Sequence, residues 1–215
     1  MKRHSIYSAM IFIFAALCFS ACKKDNKDPG VDTTVFKSTI WTGEFSYAGK
    51  AAEPMSIDFS EGGQFIWHEL KGNYAGSWKL EGKKLSLSLD NGLSFTGDVT
   101  GISLSNLQSS DAGGRTLKNA ALDKEDIPAL ANTTWVATGV SLKFKPGNLV
   151  DLYFGAPEGL PTYYDMNYTL SGRAVQFNAL PDYNWFGVLN GKAILKGTNH
   201  APNDPTVYTF LGVKQ

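Results

Sequence analysis

Apolar and polar side chains alternate in short runs along most of the chain, and this period of two is the feature that most restricts its fold. Examples are residues 55–59, 85–89, 140–144 and 175–177. A period of two places one set of side chains on each face of a β-strand. Glycine-containing turns separate the runs, as tight hairpins require, and no connection is long enough for parallel crossovers. The pattern predicts an all-β, antiparallel protein, with one helical possibility within residues 117–130.

The chain also contains an internal repeat of about 85 residues. Three glycines at positions 82, 97 and 101 recur with the same spacing at positions 172, 187 and 191. Apolar residues between them match as well, and Trp41 and Trp135 open the two copies. We therefore predict two homologous units, residues 37–120 and 133–215, joined by a solvated connector at residues 121–132. We expect both tryptophans to be buried.

Each unit resembles the small lipocalin-like, calycin-type domains of Bacteroidota lipoproteins. The resemblance lies in Thr39-Ile40-Trp41 and Thr133-Thr134-Trp135, in a phenylalanine before the next turn, and in Gly76-Ser77-Trp78-Lys79-Leu80. It implies an antiparallel meander barrel and no particular ligand. A unit of about six strands is small for a closed barrel. We expect the two units to pack closely. Whether they form one larger barrel or two small barrels is left open.

The N-terminus has the pattern of a lipoprotein signal. Lys2 and Arg3 precede an apolar run at residues 6–19, which is too short to span a bilayer. Small residues then lead to Cys22, as in the lipobox of bacterial lipoproteins. The resemblance implies a signal peptide at residues 1–21 and acyl chains, including palmitate, on Cys22. It also implies attachment to the outer membrane, and it leaves open whether the protein faces the cell surface or the cell interior. Residues 22–36 are predicted to be a charged, flexible tether.

Charge and cysteine content exclude several classes of function. The chain has 20 basic and 20 acidic residues, so removing Lys2 and Arg3 leaves a formal charge of 18 − 20 = −2. This balance does not favour nucleic acid as a partner. Cys22 is the only cysteine after processing, which leaves no disulfide or thiolate metal site, and no cofactor is implied.

No nucleophile elbow, zinc-binding helix motif or phosphate loop is present, so we expect a protein that is not an enzyme. We interpret His68 and His200 as structural residues. A carbohydrate-active hydrolase would need two carboxylates across a cleft, and this stays a minor alternative. The candidate carboxylates are Glu44, Asp58, Glu69, Asp165 and Asp182.

Binding is the function that the aromatic residues favour. The ligand-binding candidates are Tyr163, Tyr164, Tyr183 and Trp185. They lie beside short polar residues, a combination that suits a glycan or a small amphipathic ligand. The three tyrosines have no apparent match in the first unit, whereas Trp185 matches Phe95 and fits a core position better than a ligand contact. The alternative is a structural envelope lipoprotein without a ligand.

Overall fold

A computed structural model describes residues 31–47, 50–110, 115–181, 183–200 and 206–215. The predicted signal peptide, Cys22 and residues 22–30 of the predicted tether lie outside these ranges. The described residues form sixteen strands and one short 3-10 helix, Thr33–Phe36. The first eight strands are β1 (Thr39–Ser46), β2 (Ala52–Phe59), β3 (Gln64–Glu69), β4 (Gly72–Glu81), β5 (Lys84–Leu89), β6 (Ser94–Thr100), β7 (Ser103–Ser109) and β8 (Thr116–Leu122). The next eight are β9 (Thr133–Ala137), β10 (Val140–Lys145), β11 (Leu149–Tyr153), β12 (Tyr163–Ser171), β13 (Ala174–Leu180), β14 (Tyr183–Asn190), β15 (Ile194–His200) and β16 (Val207–Lys214).

The strands form two closed antiparallel barrels, β1–β8 and β9–β16, each built as a meander with a calycin-like fold. This confirms the predicted all-β class and shows two small barrels instead of one larger barrel. Each unit has eight strands, two more than expected from the sequence. The first barrel closes where β1 pairs with β8, and the second where β16 pairs with β9. Closure pairs the backbone groups of strands that would otherwise be edges.

The helical possibility within residues 117–130 is wrong. Residues 116–122 form β8, and residues 123–132 have no regular secondary structure. Leu117 and Ala120 have helix-like spacing, but a register shift in the pairing of β1 with β8 turns both side chains into the core. The need to close the barrel therefore outweighs the local helix propensity.

The repeat is confirmed in the strand registers. Leu85 pairs with Gly97 and Leu87 with Phe95 in the first barrel. The same positions of the second barrel pair Val175 with Gly187 and Phe177 with Trp185. Both hairpins before these strands turn at a glycine with positive φ, Gly82 at 61° and Gly172 at 53°. Trp41 and Trp135 are both buried.

The segment before β1 is part of the first barrel. Phe36, the last residue of the 3-10 helix, is fully buried and stacks on Trp41 with ring centroids 4.9 Å apart. The indole Nε1 of Trp41 donates a hydrogen bond to the carbonyl oxygen of Val35 at 3.0 Å. The predicted tether is therefore too long at its C-terminal end, because Val35 and Phe36 pack against the core of the first barrel.

The two barrels pack against each other through outward-facing residues of β13 and β14. Ala174, Phe186 and Val188 point away from the second barrel's core, yet all three are buried, with Leu70 of the first barrel against them. β14 and β15 also contact β2. An ion pair between Lys196 and Glu44, with 3.0 Å between Nζ and Oε1, joins the barrels at the side of this contact.

The connector is attached to both barrels at Asp123, which corrects the prediction that all of it is solvated. The backbone N–H of Asp123 donates to the carbonyl oxygen of Ile40 in β1. Its carboxylate lies 2.8 Å from Nη2 of Arg173 and accepts a hydrogen bond from the N–H of Gly191 at 2.9 Å. Arg173 is fully buried and also donates to the carbonyl oxygens of Gly191 and Glu125.

Candidate functional site

Three of the four predicted binding residues meet at one end of the second barrel. The ring centroid of Tyr163 lies 6.4 Å from that of Tyr183, and Tyr183 lies 5.5 Å from Trp185. Phe154, which the sequence analysis did not select, extends the row with a contact of 6.2 Å to Tyr163. We call Phe154, Tyr163, Tyr183 and Trp185 the aromatic row. It runs from the exposed Phe154, through two half-buried tyrosines, to the buried Trp185.

Tyr164 does not belong to the row, because a β-bulge reverses the alternation at the start of β12. Val150 pairs with Met166 and Leu152 with Tyr163, so one residue between these pairs on β11 opposes two on β12. The additional residue is accommodated at Asp165, which has a φ of 53°. A bulge of this kind re-aims the side chains beyond it. Tyr163 therefore packs against the core, whereas Tyr164 is 72% exposed.

Neighbouring polar groups hold the bulge in place. The N–H of Asp165 donates to Oδ1 of Asp151 at 2.8 Å. Lys145 forms ion pairs with both of these carboxylates, at 2.8 Å for Asp151.

Tyr163 also has a counterpart in the first barrel, because Tyr74 is the half-buried residue near the start of β4. The expectation that Tyr163 has no such counterpart is therefore wrong.

Trp185 is a core residue that has a free hydrogen-bond donor. It is 3% exposed and stacks on Phe177, with centroids 5.6 Å apart and planes 9° from parallel. The indole N–H groups of Trp41 and Trp135 donate to Val35 and Thr133, respectively. Within the part of the chain that the structure describes, Nε1 of Trp185 has no acceptor, as is also true of Trp78. A buried donor without a partner is uncommon in native proteins.

The hydroxyl of Tyr183 remains protonated at neutral pH. Burial raises the pKa of Tyr183 above its ordinary value, and the nearby hydroxyls of Tyr163 and Tyr208 raise it further. A neutral phenol can both donate and accept a hydrogen bond. The row therefore presents flat apolar rings with a hydroxyl beside them, and no charged group belongs to it.

The equivalent end of the first barrel is built from charged residues instead. Glu69 stands ten residues after Phe59, as Phe154 stands ten after Phe144, so a carboxylate replaces a ring of the aromatic row. The carboxylate of Glu69 accepts hydrogen bonds from Tyr47 at 2.8 Å, from Trp67 at 3.0 Å and from Arg115 at 3.1 Å. Glu69 is 1% exposed, so these donors offset the cost of burying its charge.

A second buried carboxyl, Glu53, lies in the same charged cluster and is 2% exposed. Burial raises the pKa of Glu53 to about 7, and the negative charge of Glu69 adds to this effect. Lys71 and Arg115 oppose the increase. Lys71 also lies over the ring of Tyr47, with its Nζ 3.7 Å from the centroid. The sequence analysis missed Glu53 because proline follows it and the alternation before Met55 is hard to read.

We expect Glu53→Gln to change the pH dependence of stability. The folded pKa of about 7 exceeds the ordinary value of 4.5, so the folded state holds the proton more tightly than the unfolded state. The contribution of Glu53 to the stability of the wild type is therefore largest below pH 4.5 and is lost as the pH rises through 7. Between pH 5 and pH 8, the free energy of unfolding measured in urea should fall by about 2 kcal/mol more for the wild type than for Glu53→Gln.

Glu61→Gln, at an exposed turn residue, is the matched control and should follow the wild type. Equal pH dependence of Glu53→Gln and the wild type would show that Glu53 is ionised in the folded protein at pH 5.

The other carboxylates and histidines are spread over separate contacts. Nε2 of His68 lies 3.1 Å from Asp58, and Nδ1 lies 2.8 Å from Oδ1 of Asn73, at the contact between the barrels. Glu44 pairs with Lys196 and Asp165 with Lys145, so these two carboxylates do not meet. Asp182 lies outside the described residues, and His200, at the end of β15, pairs with Asn184 across the sheet.

The described ranges contain neither a cluster that could hold a metal ion nor a helix that could span a bilayer. No group of three or more histidine, cysteine, aspartate or glutamate side chains is placed there to hold a metal ion. Among the same residues, no helix has the length and apolar character needed to cross a bilayer. Comparison of the chain with protein-family models, with curated proteins and with solved structures gives no match.

Proposed function

We propose that this protein is a lipid-anchored binding module of the bacterial outer membrane, facing the cell surface, which takes a glycan or a small amphipathic ligand at the aromatic end of its second barrel. Acyl chains on Cys22 hold it at the membrane, and residues 23–30 follow Cys22 in the sequence as part of the predicted tether. Binding is not coupled to catalysis.

The aromatic row is the observation that supports this proposal. Its two tyrosines are half-buried and in edge-to-face contact, so their orientation is largely set before a ligand arrives. Pre-set rings lower the entropic cost of binding. The first barrel has Leu93 in place of Tyr183 and Glu69 in place of Phe154, and Glu69 forms an ion pair with Arg115 at that end. One framework thus has two differently built ends, and the aromatic end suits a ligand with an apolar face.

Tyr183→Ala is expected to weaken ligand binding about tenfold or more, since losing one large contacting side chain typically costs about 1–3 kcal/mol. The protein for this test is residues 31–215, which form one compact unit. A panel of oligosaccharides, fatty acids and aromatic glycosides is screened by thermal shift, and hits are titrated by calorimetry.

Tyr164→Ala is the matched control, because it removes the same side chain from the adjacent but exposed face, and it should bind as the wild type does. If a hit binds Tyr183→Ala and Tyr163→Ala with unchanged affinity, the aromatic row is not its site. If the panel gives no hit, the alternative of a structural envelope lipoprotein without a ligand is favoured. The packing of Trp185 and Phe177 in the core of the second barrel would fit that alternative.

The lipid anchor has a separate test. Cells that express the full chain and receive an alkyne-tagged palmitate should label the wild-type protein and not Cys22→Ala, because only the cysteine after the signal peptide accepts acyl chains. Cys18→Ala is the control and should retain the label. Labelling of Cys22→Ala at the wild-type level would contradict the proposed anchor.

A further inference from the structure

A polar cleft of about 530 Å³ lies on the outer face of the second barrel, beside Leu70 of the first. Five neutral polar residues line it, together with Phe177 and Trp185 from the strands beneath; they are Asn167, Thr169, Gln176, Asn178 and Asn184. We call these five residues the amide cleft. They come from three neighbouring strands, β12, β13 and β14.

The strand register brings the five side chains together on one face. Thr169 pairs with Gln176 across β12 and β13, and Asn178 pairs with Asn184 across β13 and β14. Residues opposite each other in an antiparallel pair have side chains about 5 Å apart. Tyr183 is an inward residue of the same strands, so the five polar residues and the two tyrosines of the aromatic row lie on opposite faces of the sheet, while Trp185 also borders the cleft from beneath.

Gln176 is the only one of the five, among described contacts, whose side chain is already engaged. Its Nε2 donates to the carbonyl oxygen of Glu69 at 3.2 Å, and its Oε1 accepts from Asn73 at 3.5 Å. These bonds attach the floor of the cleft to the first barrel. The side chains of the three asparagines and Thr169 form no hydrogen bond with another described residue, so their amide and hydroxyl groups are available to a ligand.

The first barrel provides an internal comparison for these positions. Lys79 pairs with Ser86, and Ser88 with Ser94, in the registers that match the two pairs of the cleft. The fifth position, Asn167, corresponds to Ser77. Thus four serines and a lysine are replaced by three asparagines, a glutamine and a threonine. Asparagine is disfavoured in strands, so the framework alone does not explain its repeated use on this face. Local choices that conflict with the fold are expected at functional sites.

We propose that the amide cleft binds a short, neutral oligosaccharide. Amide groups donate and accept hydrogen bonds, which matches the paired donor and acceptor character of sugar hydroxyls. No charged side chain is among the residues that line the cleft, so a charged ligand would have no counter-charge there. The volume lies within the range of small-molecule sites. This second site goes beyond the aromatic row, because none of its five polar residues belongs to that row and the two share only Trp185 at their border.

The test is calorimetric titration of residues 31–215 with neutral gluco-, manno- and xylo-oligosaccharides and with anionic oligogalacturonate. The informative variant is Asn178→Ser/Asn184→Ser, which places the first barrel's residues at these positions and so preserves the strand pattern. We expect the wild type to bind at least one neutral oligosaccharide and the double variant to bind the same oligosaccharide at least tenfold more weakly. The wild type should bind oligogalacturonate no more tightly than the double variant binds the neutral oligosaccharide. Asn119→Ser, at an exposed asparagine of β8, should match the wild type.

A second readout locates the ligand directly. The side-chain amide signals of Asn167, Asn178 and Asn184 in a nitrogen-proton NMR spectrum should shift on addition of the bound oligosaccharide, and Tyr164→Ala, an exposed residue outside both sites, should leave those shifts in place. The proposal is overturned if no neutral oligosaccharide binds, if the double variant binds with wild-type affinity, or if the three amide signals do not move. A failure of the aromatic row would instead appear as wild-type binding by Tyr183→Ala in the separate screen.

Discussion

Arg173→Met should lower the free energy of unfolding by about 4 kcal/mol, because removing one partner of a buried ion pair leaves the other charge without compensation. The Asp123 carboxylate would keep its hydrogen bond from Gly191 but lose the guanidinium at 2.8 Å. The carbonyl oxygens of Glu125 and Gly191 would lose donors as well. Chemical unfolding, monitored by tryptophan fluorescence at neutral pH, measures the change.

Lys192→Met is the matched control, because Lys192 also pairs with a residue of the connector. Lys192 pairs with Asp126 at 3.7 Å, but both side chains are exposed, and exposed pairs contribute about 0–1 kcal/mol. Arg173→Met/Asp123→Asn should recover part of the loss, since the uncompensated charge is then removed. A loss below about 1 kcal/mol for Arg173→Met would contradict the inference that this pair holds the connector to the second barrel.

Gly43→Ala should destabilise the protein by about 3 kcal/mol, the upper part of the usual range for overpacking. A Cβ atom at Gly43 would collide with the carbonyl oxygen of Asn119 and approach the Cα of Ala120 on β8. Backbone atoms cannot move aside as a flexible side chain can, so the pairing that closes the first barrel would be strained. Thermal and urea unfolding of the variant measure the loss.

Gly212→Ala is the control, because it also lies in a strand and lacks a positive φ. The nearest atoms to its Cβ would be at 3.6 Å, an ordinary van der Waals contact. We expect a change within about 1 kcal/mol, with the lower entropy cost of alanine in its favour. Equal stability of the two variants would show that β8 can shift away from β1 without cost.

The ends of the two barrels show how one repeated framework supports different chemistry. The shared positions, such as Leu87 with Phe95 and Phe177 with Trp185, maintain the same registers. The residues that differ are at the strand ends and on the outer faces, where packing restricts them less. There the first barrel has the Glu53 and Glu69 cluster, whereas the second has the aromatic row and the amide cleft.

The sequence by itself determined the strand class, the repeat and the buried tryptophans. Alternation and turn glycines can be read within a few residues of the chain, and the repeat can be read by comparing two stretches of the sequence without knowing their contacts. This is why the faces of residues 64–69 were predictable, with Phe65, Trp67 and Glu69 pointing inward. The same local reasoning selected Tyr163, Tyr183 and Trp185.

Only the tertiary structure decided how distant residues meet. The bulge at Asp165 reverses Tyr163 and Tyr164, because Asp151 on another strand holds it. Residues 116–122 become a strand because they complete the first barrel beside β1. Arg173 and Asp123, and Glu53 and Glu69, are far apart in the chain and acquire their environments only when the barrels close. Burial and charge compensation depend on these long-range pairings, which leave no local pattern in the sequence.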